Sequence, residues 1–302
     1  MSFASEVKGE LAALPVRSAS CRAAQVYGML ELGHHFTGAD ITLQTENSTV
    51  AALYCEQVCA VCGVDKLTVQ EYPRKKEYSI VRVPVSDCRQ VLARFGHSAE
   101  ELTVRLNRAN LECDHCASAY LRGAFLVAGS VTNPEIDYHL EFSVPYYKLS
   151  RDLLALLTEC GFSAKCVSRK GNYIVYLKES GQIEDCLTLM GATASSLKLM
   201  NVKIVKDVRN NVNRVTNCEN ANIDKTVAAS AVHVEAIRCL LSRGGEACIP
   251  PELRELAMLR VNHPELSLRE LQEHLSEPLS RSGVNHRLKK LVELADRYTD
   301  KE

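Results

Sequence analysis

The chain has 302 residues, 46% of them hydrophobic, with 36 Lys and Arg against 37 Asp and Glu for a net charge of −1. That length suits about two domains and a smaller third, and that apolar content excludes wholesale disorder. The neutral balance excludes a bulk cationic DNA coat but leaves room for a local basic patch. The 13 cysteines are odd in number and spread along the chain, which excludes a disulfide framework.

In chain order, an N-terminal helix or arm is expected over residues 1–20. Met1-Ser2-Phe3-Ala4-Ser5-Glu6-Val7-Lys8 has no basic region leading into an apolar stretch, so no secretory signal is expected. No apolar run is long enough to span a membrane, and a cytoplasmic chain with reduced cysteines follows as the expectation. A helix then runs over about 20–33, followed by a strand at Ile41–Thr45 and an amphipathic helix at about 48–62 ended by Gly63. A strand hairpin including Tyr78–Val83 and a helix at about 86–95 close this unit.

The same order returns: a helix at about 117–129, a strand at Tyr138–Val144, a helix at about 148–160 ended by Gly161, a hairpin turning at Arg169–Asn172, and a helix at about 181–190. Three anchors repeat at one spacing of 95 residues: Gly28 with Gly123, Tyr78 with Tyr173, and Gly96 with Gly191. The chain therefore reads as α+β, with α-β-α-β-β-α duplicated over about 21–110 and 115–205 in a domain spanning 21–205. Small residues in the opening helices (Gly28 and Gly33; Gly123, Ala124, Ala128 and Gly129) fit a close-packed helix pair, with simple core packing as the alternative that spacing alone favours.

From Lys198 to Thr216 five basic residues face one acid, and asparagines crowd the stretch to Asn222. Residues 206–224 are expected to form an Asn-rich connector, with Lys203, Lys206, Arg209, Asn213 and Arg214 as secondary DNA or connector contacts. A helical domain follows over 225–302. It carries a helix at about 224–242, a helix opened by Pro251, and a helix-turn-helix at about 267–296.

Ser267 to Glu270 fits a capping box. Val284, Leu288, Leu291 and Ala295 form one stripe for burial. From Ser280 to Lys290 there are four basic residues and no acid. Ser267, Arg269, Ser280, Arg281, Ser282, Asn285, His286 and Arg287 are the candidate DNA-contacting residues, with Lys289 and Lys290 suited to phosphates. The residues 251–302 hold nine basic and ten acidic side chains, so any such footprint is confined to one face. A solvated basic face on a helical bundle remains the alternative.

Leu121-Arg122-Gly123-Ala124-Phe125-Leu126-Val127-Ala128-Gly129-Ser130 resembles the LAGLIDADG helix of homing endonucleases, and Val26 to His34 resembles it more weakly. The duplicated topology is what that likeness implies. The chain as a whole resembles the WhiA family of bacterial regulators. That resemblance rests also on Ser2–Lys8, on Val208–Arg214 with Asn217–Asn222, and on Leu279–Leu288, in order.

The resemblance implies a DNA-binding transcription regulator linked to cell division, chromosome segregation or sporulation, and a nucleoid-associated location. It implies double-stranded DNA as partner, leaving RNA polymerase, a sigma factor or another regulator open as protein partners and the oligomeric state open. The nuclease pattern places one acid per helix at the eighth motif position to hold metal. Here those positions are Gly33 and Ala128, and Glu31 answers to Leu126. Sliding the match by one residue brings no acid pair, since Leu32 and His34 answer to Val127 and Gly129. A scaffold without nuclease chemistry is expected, hence no enzyme, no catalytic residues and no cofactor. A metal-dependent homing-type endonuclease and a non-DNA interaction protein are the alternatives. Cys59–Cys62 and Cys113–Cys116 are CxxC pairs, but 54 residues separate them, so core thiols rather than a metal site are expected.

Overall fold

The structure, a computed structural model, describes residues 2–16, 18–72, 78–101 and 103–299. Met1, Arg17, residues 73–77, Leu102 and residues 300–302 of the expected segments lie outside it. The chain forms two compact units, Met1–Lys206 and Asp207–Glu302.

In the first unit, α1 (Phe3–Ala12) precedes two matching series. The first is α2 (Ala19–Glu31), β1 (His35–Phe36), β2 (Ile41–Thr45), α3 (Ser48–Cys62), β3 (Thr68–Tyr72), β4 (Tyr78–Arg82) and α4 (Val85–Arg94). The second is α5 (Cys116–Ala128), β5 (Gly129–Val131), β6 (Leu140–Val144), α6 (Tyr147–Glu159), β7 (Lys165–Arg169), β8 (Asn172–Leu177) and α7 (Ser180–Met190). The two antiparallel four-stranded sheets have the same order, β1-β2-β4-β3 and β5-β6-β8-β7. The duplication and the α+β class therefore hold. Each unit, however, is α-β-β-α-β-β-α rather than α-β-α-β-β-α. The strands missed by the pattern, β1 and β5, have two and three residues. A period of two cannot show itself over so short a run; pairing with β2 and β6 makes them strands.

The opening helices α2 and α5 form the centre. Every residue from Ala24 to Glu31 is buried, as are Ala119–Leu121 and Gly123–Leu126. A helix enclosed on nearly all sides must be met closely by its neighbour. At Gly28 an added Cβ would overlap the carbonyl oxygen of Tyr120, and at Gly123 it would overlap that of Gln25. The glycines set how near the two backbones come.

From these helices a polar chain runs outward, from buried Glu31, Tyr27 and Tyr120 through His97 to exposed Glu101. The Tyr120 hydroxyl donates to Glu31 Oε2 at 2.8 Å, and His97 Nε2 lies 3.5 Å from Glu31 Oε1. His97 also meets Glu101 at 3.0 Å and the Tyr27 hydroxyl at 2.7 Å. Burial pushes the Glu31 carboxyl above its ordinary range. For His97 burial disfavours the charge, but hydrogen bonds and charge from Glu31 and Glu101 outweigh it and raise the imidazole above its ordinary value.

The helix α8 (Thr193–Gly244) begins in the first unit. The Glu10 carboxylate of α1 accepts the backbone N–H groups of Ala194 at 2.7 Å and Ser195 at 2.9 Å, satisfying donors left free at a helix start. Residues 206–224 lie inside this helix, where a polar connector was expected. Asparagine is a weak helix former, but the 52-residue segment holds no Pro and no Gly before its last residue. The second unit adds α9 (Pro251–Asn262), α10 (Leu268–Glu273) and α11 (Arg281–Thr299).

Gly123→Ala should destabilise the first unit by about 1–3 kcal/mol, because backbone must move to admit one methyl; a lower urea midpoint at unchanged slope is the expected reading. His97 should stabilise the fold in a pH-dependent way. Its folded pKa is raised, so its contribution is fully present below the unfolded value of about 6.5 and fades as pH rises through the folded value. The stability gap between the protein and His97→Gln in urea should accordingly narrow from pH 6 to pH 9; a constant gap would refute the ion pair.

Candidate nucleic-acid interface

The second unit packs Ile237 and Leu240 of α8, Leu253 and Leu256 of α9, Leu271 of α10, and Val284, Leu288, Leu291 and Ala295 of α11 into one core. The apolar stripe read from α11 is the face it buries. Ser267 caps α10 as a full capping box: its hydroxyl accepts from Glu270 N–H, and the Glu270 carboxylate accepts from Ser267 N–H at 2.7 Å. Ser280 accepts from Gly283 N–H at 3.1 Å at the start of α11. The Glu255 carboxylate accepts from both the backbone and the hydroxyl of Ser276, pinning the turn between α10 and α11 to α9.

With its stripe buried, α11 turns a defined set outward. Arg281, Ser282, His286 and Lys289 are exposed and Asn285 is half-buried. At about 100° per residue these five fall within roughly 140° of arc. The first turn holds no acid, and its free N–H groups favour negative charge. Arg287 departs from the expected set. Its guanidinium donates to the Glu252 carbonyl at 3.0 Å and meets Glu277 at 3.5 Å, so it ties α11 to α9. Lys290 is exposed and lies 3.8 Å from Glu252. Arg269 is 83% exposed, 3.8 Å from Glu273.

Beside this face opens a cavity of about 330 Å³ lined by Ser267, Arg269, Arg281 and Asn285 together with Lys225, His233 and Arg260. The last three were not singled out from sequence. Arg260 is only 2% exposed and donates to the Ser230 hydroxyl and to the carbonyls of Pro264 and Leu266, the latter at 2.7 Å. The sequence signal was an arginine three and four residues after Ala257 and Leu256, on the apolar face of α9. Burial, and then the Arg260 charge, lower His233 below its ordinary value.

The secondary set divides. Lys203 meets Glu184 at 3.3 Å, and Lys206 donates to the Pro134 carbonyl at 2.7 Å over the ring of Tyr138. Both are engaged within the first unit. Arg209, Asn213 and Arg214 are exposed on α8.

Gly33 and Ala128, at the ends of α2 and α5, line one cavity of about 400 Å³ with His34, His35, Gln44, Ser143, Tyr146 and Asn172. Its lining holds no carboxylate, and Glu31 faces the buried network instead. Among the described residues, no helix is long and apolar enough to cross a membrane.

Comparison with known proteins agrees with this architecture. The profile of the WhiA LAGLIDADG-like domain matches residues 117–209, and that of the WhiA C-terminal HTH domain matches residues 212–295. A Thermoanaerobacter pseudethanolicus protein named "Probable cell division protein WhiA" is 35% identical over 317 residues, covering 100% of this chain and 99% of its own. A Clostridium botulinum protein of the same name is 39% identical over 263 residues, 84% of each. The crystal structure of full-length DUF199/WhiA from Thermatoga maritima superposes with a TM-score of 0.61 at 21% identity over 98% of this chain and 99% of that one, a likeness of fold.

Arg260→Leu should cost the second unit about 1–3 kcal/mol, because it removes the donor to the Ser230 hydroxyl and to the part-buried carbonyls of Pro264 and Leu266. Arg260→Lys should recover little, since an ammonium cannot bridge the same oxygens. Thermal unfolding of the full chain followed by circular dichroism would read both.

Proposed function

The chain belongs to the WhiA family, and on that premise we propose that it is a sequence-specific DNA-binding transcription regulator acting in cell division, chromosome segregation or sporulation. Relatives named as cell division proteins support the cellular setting. The observation that carries the reading is the outward face of α11. Arg281 and Asn285 there open into a cavity lined by further cations and no acid. Arg281, Ser282, Asn285 and His286 would reach base edges in a major groove, and Lys289 with Lys290 would meet phosphates. Ser267, Ser280 and Arg269 would support or extend that contact. Arg287 would act from beneath, holding α11 in place.

The LAGLIDADG-like unit would bind without cutting. In-line phosphodiester cleavage needs metal-holding carboxylates at the ends of the paired helices. The corresponding positions, Gly33 and Ala128, offer none, and the cavity they share has no acid to replace them.

Fluorescence anisotropy with duplex DNA of mixed sequence, titrated with salt, tests this. Affinity should fall log-linearly with salt, Lys289→Ala should lower the slope by about 1, and Arg281→Ala should weaken binding. On a preferred duplex, Asn285→Ala should cost about 1–3 kcal/mol, roughly 5- to 150-fold. Binding insensitive to salt, or variants of unchanged affinity, would sink the DNA reading. Supercoiled plasmid with Mg²⁺ should stay intact; cleavage abolished by EDTA would overturn the non-enzymatic one.

A further inference from the structure

At the opposite ends of the central helices from the acid-free cavity, three thiols converge. Cys21 lies in the first turn of α2, Cys116 opens α5, and Cys113 sits just before it. Their Sγ atoms all lie within 4.8 Å of one another: Cys113 is 3.6 Å from Cys21 and 3.3 Å from Cys116. Every cysteine of the described chain is a free thiol. We propose that Cys21, Cys113 and Cys116 form a binding site for a thiophilic divalent cation of the zinc class, which joins the N-termini of α2 and α5 across the two repeats.

The geometry suits that ion. Zinc–thiolate bonds of about 2.3 Å in a tetrahedron place sulfurs roughly 3.8 Å apart, a small adjustment from the spacing present. Cys116 is buried, Cys21 half-buried and Cys113 exposed, so two ligands are fixed by the core and one lies at an entry path. With Cys113 exposed, a fourth position would be open to water. Each thiol loses its proton to solvent as its sulfur–metal bond forms, so three thiolates and one dication carry a net single negative charge. The N-termini of two helices favour that charge.

Other cysteines differ. Cys62, of the Cys59–Cys62 pair, is buried and joins no such group of three thiols among the described residues. The two CxxC pairs do not meet in one group. Sequence spacing weighed them against each other and so missed Cys21, which lies 92 residues before Cys113 in the chain and reaches it only through helix pairing.

The test uses the full chain, purified reduced and metal-free, titrated with zinc chloride under a reductant that does not bind metal. One equivalent should bind, raise the unfolding temperature, and shield three thiols from alkylation. Cobalt in its place should give thiolate-to-metal charge-transfer absorption. Cys21→Ser and Cys113→Ser should lose the equivalent and the thermal shift, while Cys218→Ser, far along α8, should keep both. The cobalt spectrum and native circular dichroism distinguish lost ligation from a lost fold. The proposal is overturned if the wild type binds no zinc, if Cys21→Ser binds as well as wild type, or if Cys113 and Cys116 instead pair as a disulfide that zinc does not prevent.

Discussion

The approach of α2 to α5 is the constraint on which the first unit rests. Two helices buried on nearly all sides can lie this close only where side chains are absent, and Gly28 and Gly123 supply those gaps against the carbonyls of Tyr120 and Gln25. Each repeat closes its core only through the other, because its opening helix is covered by the partner helix. The pairing also fixes what appears at either end of the helices. One end brings Gly33 and Ala128 to a shared cavity, and the other brings Cys21 to Cys113 and Cys116.

That geometry separates scaffold from chemistry. The cavity at the helix ends is lined with histidine, amide and hydroxyl groups and no carboxylate. The one acid near the end of α2, Glu31, is held inward by Tyr120 and His97. A buried carboxyl so placed serves the core: it satisfies a tyrosine and pairs with a histidine where an unpartnered charge would be costly. In the second unit the charges are arranged the other way. Arg260 is buried and spends its donors on backbone carbonyls at the turn before α10, while Arg281 and Lys289 stay outside. The buried arginine holds the turn, and the exposed ones are free for a partner.

The features the sequence determined by itself are those written in local spacing. The 95-residue repeat, the Gly63 and Gly161 stops, the capping box at Ser267 and the buried stripe Val284–Leu288–Leu291–Ala295 all stand in the structure, because each is a relation among residues a few positions apart or a repetition of one. The lack of an acid pair at Gly33 and Ala128 is likewise a matter of residue identity. What only the tertiary structure decided depends on contacts the chain closes over distance. The short strands β1 and β5 exist because a longer neighbour pairs with them. Residues 206–224 are helical despite their asparagines, within a segment uninterrupted by proline and capped at its start by Glu10 from the other end of the domain. Lys203, Lys206 and Arg287 have the charge of a DNA contact but are engaged by Glu184, Pro134 and Glu252. Cys21 joins a CxxC pair 92 residues away for the same reason. A sequence states which side chains are available; whether one is free, buried or beside a distant partner is fixed by the packing of helices and sheets against one another.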